Sequence, residues 1–525
     1  MKQFYFLIIT FFILSCNKKK NEPISIDIPE VEVTKEGKII AIDTAYLYSK
    51  KDSLLNIFYK SNNNHTFWLA FNCRENLLQL INNVENQGLN KNEFDYIKIN
   101  NLEKRIFNLN DDELIDYDIL LTQNLSRFIS KASTGKLDPK ELYNDWELKK
   151  NSPNTLELLL NFTKKDSFDY AVSSIKPSHK AYYSLEDAMK ILEKFPDKNF
   201  TKLSLEGKLE LNDTNNIIPE IKQRLIYWKD LKSTTNINSV YDIETKIAVK
   251  KFQLRHGLAS DGVIGKGTVS ALNFSKLDRK KQIIANIERW KWFPREFESE
   301  YIIINIPDYS LQFIKNKDTV RTHKIIVGTN KRTTPILSSK LSYVVFNPTW
   351  TVPPTILRED VIPASTKDRS YLTAKKITVF DSNNNVVTLE NWNPQIAKSY
   401  RYVQSPGSYN SLGLVKIMFP NKFSVYLHDT NNRSYFSREN RSISSGCVRV
   451  QDPFELTEDL IEDKINWNLD SINSVVKKGK TKNVTINKKV YIHILYWTAF
   501  SKNGELHFRD DIYNLDMELY NKLRN

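Results

Sequence analysis

The sequence predicts an α+β multidomain chain, in which an α-helical scaffold domain and a small three-helix domain precede a mostly antiparallel β-sandwich or barrel-like domain. Residues 36–200 are poor in Gly and repeat apolar side chains at spacings of three and four, which is typical of packed helices. From residue 298 onward, β-branched runs alternate with turn residues at hairpin spacing, which indicates antiparallel strands. With 525 residues, of which 40% are hydrophobic, the chain is long enough for about two to four domains.

The first 35 residues predict export and membrane attachment. Lys2 precedes an apolar run, residues 4–14, that is too short to span a bilayer as a mature helix. The run leads to Ser15-Cys16, which resembles a bacterial lipobox; a plain secretory signal is the alternative. The resemblance implies a lipoprotein signal peptide at 1–15 and a lipidated Cys16 at the head of a tether, 16–35. We therefore expect a periplasmic protein anchored to a bacterial membrane, with the outer membrane favoured.

The charge and the cysteine count limit the possible partners. A formal net charge of +14 is compatible with nucleic acid, anionic lipid or an acidic polymer. The lysines are dispersed, 62 acidic residues remain, and export conflicts with nucleic-acid binding. The three cysteines, Cys16, Cys73 and Cys447, are too few for a disulfide framework, and their spacing fits no zinc site. We therefore expect no nucleic-acid partner and no metal, and we expect Cys73 to lie in a helical core.

Residues 201–276 predict a small helical module. An amphipathic helix ends at Gly257, an Asp-Gly turn follows at 261–265, and a second helix begins near Thr268. The pattern A-V-x-x-F-Q followed by G-x-x-G is similar to the peptidoglycan-binding type 1 domain. An ordinary helical hairpin has the same physical pattern, and the sequence leaves open whether the module binds glycan or serves as scaffolding.

A connecting helix at 277–297 leads into the predicted β domain, residues 298–525. Strands are predicted at 301–306, 311–314, 324–328, 341–346 and 490–500. Between about 355 and 410, a short helix and an Asn-rich turn break the rhythm of strands. A stretch of this length inside a compact domain is usually a functional lid.

The strongest chemical signal lies between Tyr426 and Arg449. A short strand delivers His428 to its end, and a tight turn at Gly446 presents Cys447 before the next strand begins. The thiolate is the reactive form of cysteine, and a nearby imidazole or guanidinium lowers the thiol pKa. Gly446 lets backbone N–H groups approach a developing oxyanion. These residues suit a cysteine nucleophile with a histidine base, whereas a lone cysteine buried as a small apolar side chain is the alternative.

His428 is followed 19 residues later by the Cys of S-S-G-C-V-R at 444–449. This pattern resembles the active-site signature of L,D-transpeptidases with a YkuD-type catalytic domain. Many members have a second His directly before the Gly, where this chain has Ser445; the large multidomain branch has the Ser. The segment N-P-T-W-T-V-P at 347–353 resembles a second motif of the family, and residues 117–146 resemble the helical scaffold of that branch. The chain is therefore identified as a member of the large multidomain branch.

The resemblance implies a reaction on peptidoglycan. Cys447 attacks the carbonyl of the third residue of a tetrapeptide stem, D-Ala leaves, and an amine of a neighbouring stem resolves the thioester into a 3-3 cross-link. An L,D-carboxypeptidase, with water as the acceptor, and a non-catalytic lipoprotein that anchors peptidoglycan are the alternatives. The resemblance also implies a capping subdomain at about 355–410 and covalent inhibition by β-lactams of the carbapenem type. No cofactor is required by this chemistry.

Four further residues are candidates for substrate binding. Arg449 is predicted to bind a substrate carboxylate or to lower the thiol pKa. Tyr426 and Ser444 are predicted hydroxyl donors in the cleft, and Trp350 either lines the cleft or fills the core. Asp429 or a backbone carbonyl is expected to orient the catalytic histidine.

Overall fold

The computed structural model of the chain describes residues 38–525 with the exceptions of 70, 144–145, 149–150 and 163–167, and it leaves the side chains of 71–73 undescribed. The predicted signal peptide, Cys16 and the tether lie outside the described residues, and so does the side chain of Cys73. Among the helices that are described, none is long and apolar enough to cross a membrane.

The described residues form two compact units, one comprising the residues up to Leu78 with Asp95–Gln123, the other comprising Gln79–Phe94 with Asn124–Asn525. The helices that precede the small module are Thr44–Ser49 (α1), Ser53–Ser61 (α2), Phe71–Asn82 (α3), Tyr96–Glu103 (α4), Asp111–Thr134 (α5), Pro139–Leu142 (α6), Thr155–Asn161 (α7), Phe168–Ile175 (α8) and Lys180–Glu193 (α9). These helices confirm the predicted helical scaffold.

The small module has three helices, Ile218–Tyr227 (α10), Ile243–Arg255 (α11) and Lys266–Leu272 (α12). Helix α11 begins where the Asp242 carboxylate accepts a backbone N–H at 2.8 Å. The Gln253 amide donates to the carbonyl of Val263 at 2.8 Å and accepts the N–H of Gly262 at 2.9 Å. The Gln of the A-V-x-x-F-Q pattern therefore fixes the Asp-Gly turn, and the predicted three-helix arrangement is confirmed.

A large, mostly antiparallel sheet forms the β part of the second unit and confirms the predicted fold class. The strands of the described residues are Glu300–Asn305 (β1), Ser310–Lys315 (β2), Asp318–Gly328 (β3), Leu337–Lys340 (β4), Tyr343–Phe346 (β5), Trp350–Thr351 (β6), Thr378–Phe380 (β7), Val386–Val387 (β8), Arg401–Gln404 (β9), Val415–Met418 (β10), Leu427–His428 (β11), Ser442–Ser444 (β12), Val448–Val450 (β13), Lys482–Thr485 (β14), Tyr491–Leu495 (β15), Ala499–Lys502 (β16) and Glu505–Phe508 (β17). The order across the large sheet is β14-β5-β10-β11-β13-β3-β2-β1-β15-β4, with β12 paired to β3. The pairs β1–β15, β11–β13 and β3–β12 are parallel.

The helices that follow the module are Lys276–Trp292 (α13), Pro354–Ile356 (α14), Ile362–Lys367 (α15), Ser370–Ala374 (α16), Pro453–Leu460 (α17), Leu469–Lys477 (α18) and Leu515–Arg524 (α19). Helix α13, predicted as a connector, is buried along most of its length. Its Arg289 donates to Asp516 of α19 at 2.9 Å, and both side chains are buried. Helix α13 therefore lies in the interior of the second unit rather than on its surface.

The insertion between β5 and β10 folds as a small layer with its own sheet, ordered β6-β9-β7-β8. Helices α14 to α16 and a π-helical turn at Leu357–Val361 belong to the same layer. Its separate core includes Trp392, whose indole N–H donates to the Tyr402 hydroxyl at 2.8 Å. We call the segment from β6 to β9 the cap.

Candidate active site

Three neighbouring strands, β10, β11 and β13, bring the candidate site together. In the antiparallel register of β10 and β11, Lys416 lies opposite His428. In the parallel register of β11 and β13, His428 lies beside Arg449. Residues in register on adjacent strands project to the same face of a sheet. Lys416, His428 and Arg449 therefore form one row, which we call the Lys-His-Arg row.

The turn that presents Cys447 is held by hydrogen bonds on both sides. The Ser444 hydroxyl donates to the Cys447 carbonyl at 2.6 Å and accepts the Gly446 N–H at 3.2 Å. From the loop after β3, the Thr334 hydroxyl donates to the Gly446 carbonyl at 2.8 Å. Gly446 has a φ of +111°, and a Cβ at this position would lie 3.2 Å from the carbonyl oxygen of Thr333. The turn therefore requires glycine.

These hydrogen bonds correct the prediction for Ser444. Its side chain is buried, and its single hydroxyl hydrogen is donated to the Cys447 carbonyl, so it has none to offer a substrate. The Gly446 N–H, predicted to hold the oxyanion, donates to Ser444 instead. Ser444 therefore shapes the turn of the nucleophile, a role that depends on backbone geometry the sequence does not display.

The thiol of Cys447 is half-buried beside Tyr426. Both the hydroxyl and the N–H of Tyr426 interact with the sulfur, and the Trp350 side chain interacts with the same hydroxyl. Burial raises the pKa of the Cys447 thiol, whereas Tyr426 and the charges of Lys416 and Arg449 act to lower it. The predicted lowering by Arg449 is present, but burial outweighs it.

His428 is 5% exposed, and its ring packs edge-on against the Tyr426 ring with the centroids 5.6 Å apart. Burial, together with the positive charges of Arg449 and Lys416, lowers the pKa of His428 to about 3. The imidazole is therefore neutral near pH 7 and has a lone pair with which to accept a proton. Its Nδ1 has no hydrogen-bond partner among the described residues.

The Asp429 side chain is engaged away from the histidine. Its carboxylate accepts the N–H of Leu414 at 3.0 Å and pairs with Arg433 at 3.2 Å. Backbone groups of Asp429 and Leu412 interact with His428 and act to raise its pKa. Of the two alternatives that the sequence leaves open, the structure agrees with orientation by backbone.

Two cations flank His428 within the row. The Lys416 ammonium lies 3.8 Å from the centroid of the Tyr426 ring, in a cation–π contact. The Arg449 Nε is buried and has no hydrogen-bond partner in the described part of the chain. Sequence analysis singled out Arg449 but missed Lys416, because one Lys in the strand V-K-I-M gives no sign of which strand will lie beside it.

Arg332, in the loop after β3, connects the cap to the catalytic turn. Its guanidinium donates to Asp360 and to Glu359, each at 2.7 Å, and to the Ser445 hydroxyl at 3.0 Å. Both carboxylates lie on the π-helical turn of the cap. Ser445 stands two residues before Cys447, so Arg332 ties the cap to the segment that carries the nucleophile. No sequence motif marked Arg332.

The comparison with known families covers all three parts of the chain. Residues 299–481 match the family profile described as “L,D-transpeptidase catalytic domain”. This part of the chain is an L,D-transpeptidase catalytic domain. Residues 53–189 match a scaffold domain, and residues 214–272 match a “Putative peptidoglycan binding domain”. His428 and Cys447 both lie inside the L,D-transpeptidase catalytic domain, and within the described residues no cluster of three or more His, Cys, Asp or Glu offers a metal site.

One curated relative agrees with this assignment. A curated protein of Haemophilus influenzae described as “Putative L,D-transpeptidase” is 34% identical over 247 residues, which are 46% of this chain and 49% of that protein. The match thus spans about half the length of that relative. A solved L,D-transpeptidase from Xylanimonas cellulosilytica is 14% identical, with a TM-score of 0.18 over 56% of this chain and 100% of its own. An L,D-transpeptidase solved in complex with imipenem is 13% identical, with a TM-score of 0.18 over 38% of this chain and 59% of its own. These TM-scores are low, so the assignment depends on the sequence matches.

Proposed function

We propose that the chain is a cysteine L,D-transpeptidase of peptidoglycan that forms 3-3 cross-links between stem peptides. The observation that carries the proposal is the placement of Cys447 on a glycine turn at the Tyr426 hydroxyl, while the ring of the same tyrosine packs against a neutral His428. The catalytic-domain match supports the reaction class, and the match to a peptidoglycan-binding domain supports the substrate class.

In the first half-reaction, the Cys447 sulfur attacks the carbonyl carbon of the third residue of a tetrapeptide donor stem, and the thiol proton passes to His428. A raised thiol pKa and a neutral imidazole fit proton transfer during the attack better than a resting ion pair. The C–N bond to D-Ala then breaks, and the amine leaves with the proton from His428. The product is a thioester on Cys447. Proton transfer by a positioned imidazole contributes roughly 10²–10⁴-fold in rate.

The tetrahedral oxyanion needs donors that face the nucleophile. The Gly446 N–H is engaged within its turn, so we assign this role to the Cys447 N–H and to the Tyr426 hydroxyl. Trp350 interacts with that hydroxyl and so orients it. Arg449, whose Nε has no partner in the described chain, binds a carboxylate of the stem.

In the second half-reaction, an amine of a neighbouring stem attacks the thioester carbonyl. Cys447 leaves as the thiolate, and the proton of the attacking amine passes to His428. The cap excludes water from the thioester and thereby favours the amine. With water as the acceptor, the same site would act as an L,D-carboxypeptidase, which is the second candidate function.

The proposal is tested by intact-mass spectrometry of the detergent-solubilised chain after incubation with purified tetrapeptide muropeptides. We expect a thioester adduct on the wild type, no adduct on Cys447→Ala, and cross-linked dimers in solution. An adduct that resolves only to the tripeptide would establish the carboxypeptidase instead. Tight binding to sacculi with neither adduct nor product would leave a non-catalytic peptidoglycan anchor as the better account.

The same nucleophile predicts covalent inhibition by β-lactams of the carbapenem type. The strained amide carbonyl of the lactam accepts the attack that the stem carbonyl receives, and the acyl group then remains on Cys447. Incubation with a carbapenem should add the mass of one inhibitor to the wild type and nothing to Cys447→Ala. An adduct of equal yield on both proteins would contradict the assignment of the nucleophile.

We further propose that lipid on Cys16 anchors the protein to a bacterial membrane, the outer membrane being favoured, with its domains in the periplasm. The apolar run before Cys16 and the polar run after it support this proposal. Cys16→Ser should move the protein from the membrane fraction to the soluble periplasmic fraction. Retention of the variant in the membrane would contradict the anchor.

A further inference from the structure

Lys416 holds a positive charge inside the candidate active site without a carboxylate to balance it. Its side chain is half-buried, and within the described residues it forms no ion pair. Its ammonium instead lies 3.8 Å from the centroid of the Tyr426 ring. A half-buried ammonium without a counter-ion is costly, because burial removes the water that otherwise solvates the charge.

The charged groups around Cys447 give the nucleophile a positive surrounding. Tyr426, directly before β11, and the neutral His428 on β11 carry no charge there, whereas Arg449 on β13, which also interacts with Tyr435, is a cation. The cap contributes Trp350, which carries no charge. On the other side of the turn, Arg332 is already matched by the two carboxylates of the cap.

One residue, Tyr426, connects Lys416 to the Cys447 sulfur. Lys416 lies on the ring of Tyr426, and the hydroxyl of that ring interacts with the Cys447 sulfur. The register between β10 and β11 fixes this placement, because it sets Lys416 opposite His428. His428 lies two residues after Tyr426 in the chain, so the two side chains project from the same face of the sheet. Among the charged groups in the described part of the chain, a negative charge on Cys447 is the one that acts to raise the pKa of this lysine.

We propose that Lys416 is a positioning residue for the nucleophile: held on the ring of Tyr426, it serves as the counter-ion that stabilises the Cys447 thiolate. This inference rests on the proposed role of Cys447 as the nucleophile. Before it accepts a proton, His428 does not supply the counter-charge, because two neighbouring cations and burial keep its imidazole neutral. The direction of the electrostatic effect agrees, since the charge of Lys416 acts to lower the pKa of the Cys447 thiol.

The test measures thiolate formation without any peptidoglycan substrate. The full-length protein is alkylated with iodoacetamide between about pH 7 and pH 11; the thiolate forms an S–C bond to the reagent, and iodide leaves. The reaction at Cys447 is followed by mass spectrometry on the tryptic peptide 442–449, which separates it from the other cysteines. The midpoint of rate against pH gives the thiol pKa.

Lys416→Met should move that midpoint upward by about one pH unit, so that alkylation well below the midpoint is about tenfold slower. Lys416→Arg should restore the wild-type profile, because it retains the cation. The matched control is Lys482→Met: Lys482 lies 4.8 Å from the Trp467 ring centroid, on β14 of the same sheet, and is not among the charges that influence Cys447. Its profile should stay at the wild-type position.

An unchanged midpoint in a folded Lys416→Met protein would overturn the proposal, and so would an equal shift in Lys482→Met. An unchanged midpoint with a raised KM for anionic donor stems would likewise overturn it and would make Lys416 a carboxylate-binding residue. Since alkylation needs no cross-linking activity, failure of the transpeptidase assignment would leave the expected shift intact. The two failures are therefore distinguishable.

Discussion

Replacing Asp516 with asparagine removes the charge that balances Arg289 in the interior of the second unit. The Arg289 guanidinium donates to the Asp516 carboxylate at 2.9 Å, with side-chain exposures of 0% and 7%. Asp516 also accepts the hydroxyl hydrogen of Thr498. The asparagine keeps the size of the side chain, but the buried guanidinium of Arg289 loses the carboxylate to which it donates and keeps only the electrostatic influence of Asp511. We expect Asp516→Asn to destabilise the protein strongly.

The burial of the pair sets the magnitude of this loss. Removing one partner of a buried ion pair costs about 3–5 kcal/mol, because the remaining charge stays desolvated. The free energy of unfolding of a whole domain is only about 5–15 kcal/mol, so the variant should lose a large part of it. Replacing both partners with apolar side chains, Arg289→Met with Asp516→Leu, should recover most of the loss, since no unpaired charge remains.

The assay is urea unfolding followed by tryptophan fluorescence, to which Trp290 and Trp292 on the buried helix α13 contribute. The matched control is Lys522→Gln on α19, which breaks the exposed pair between Lys522 and Glu518. That variant should cost about 0.5 kcal/mol or less. A loss below about 1 kcal/mol in Asp516→Asn, or a double variant no more stable than the single one, would refute the reasoning.

Three further predictions concern the active site. Arg332→Gln should increase hydrolysis relative to transfer and increase deuterium uptake in the cap at 357–367. The control is Arg358→Gln, which removes a neighbouring arginine from Glu359 and should change neither the product ratio nor the deuterium uptake. Gly446→Ala should slow thioester formation by about tenfold or more while the protein still folds, because a φ of +111° strains any other residue by about 1–3 kcal/mol. His428 has a folded pKa of about 3 against about 6.5 in an unfolded chain, so its contribution to stability is complete above pH 6.5 and declines as the pH falls toward 3. The urea midpoint should therefore fall less between pH 7 and pH 5 in His428→Gln than in the wild type.

Each of these predictions has a result that contradicts it. If Arg332→Gln showed the same deuterium uptake and the same product ratio as the wild type, the position of the cap would not depend on that residue. Wild-type thioester rates in Gly446→Ala would mean that the turn tolerates a side chain. An identical acid response in wild type and His428→Gln would mean that the histidine titrates alike in the folded and unfolded states.

The proposed nucleophile and its base could be picked out from the sequence, because both belong to one short segment. His428 ends a strand, Gly446 makes the turn, and Cys447 follows it, so local residue types carry the information. The helical module was predictable for the same reason, since Gln253 and the turn it fixes are about ten residues apart. Ser444 was misread because a hydroxyl in a turn looks the same in sequence whether it faces a substrate or the backbone.

What the sequence determined by itself was therefore the order of the domains, the mostly antiparallel fold class, and the candidate Cys–His pair. Only the tertiary structure decided what surrounds that pair. Lys416 reaches the site because β10 pairs with β11, and Arg332 reaches it across 113 residues of chain to Ser445. Such neighbours are set by the register between strands and by the packing of the cap. Hydrogen-bond ladders between distant segments fix that register, and no local pattern of residues records it.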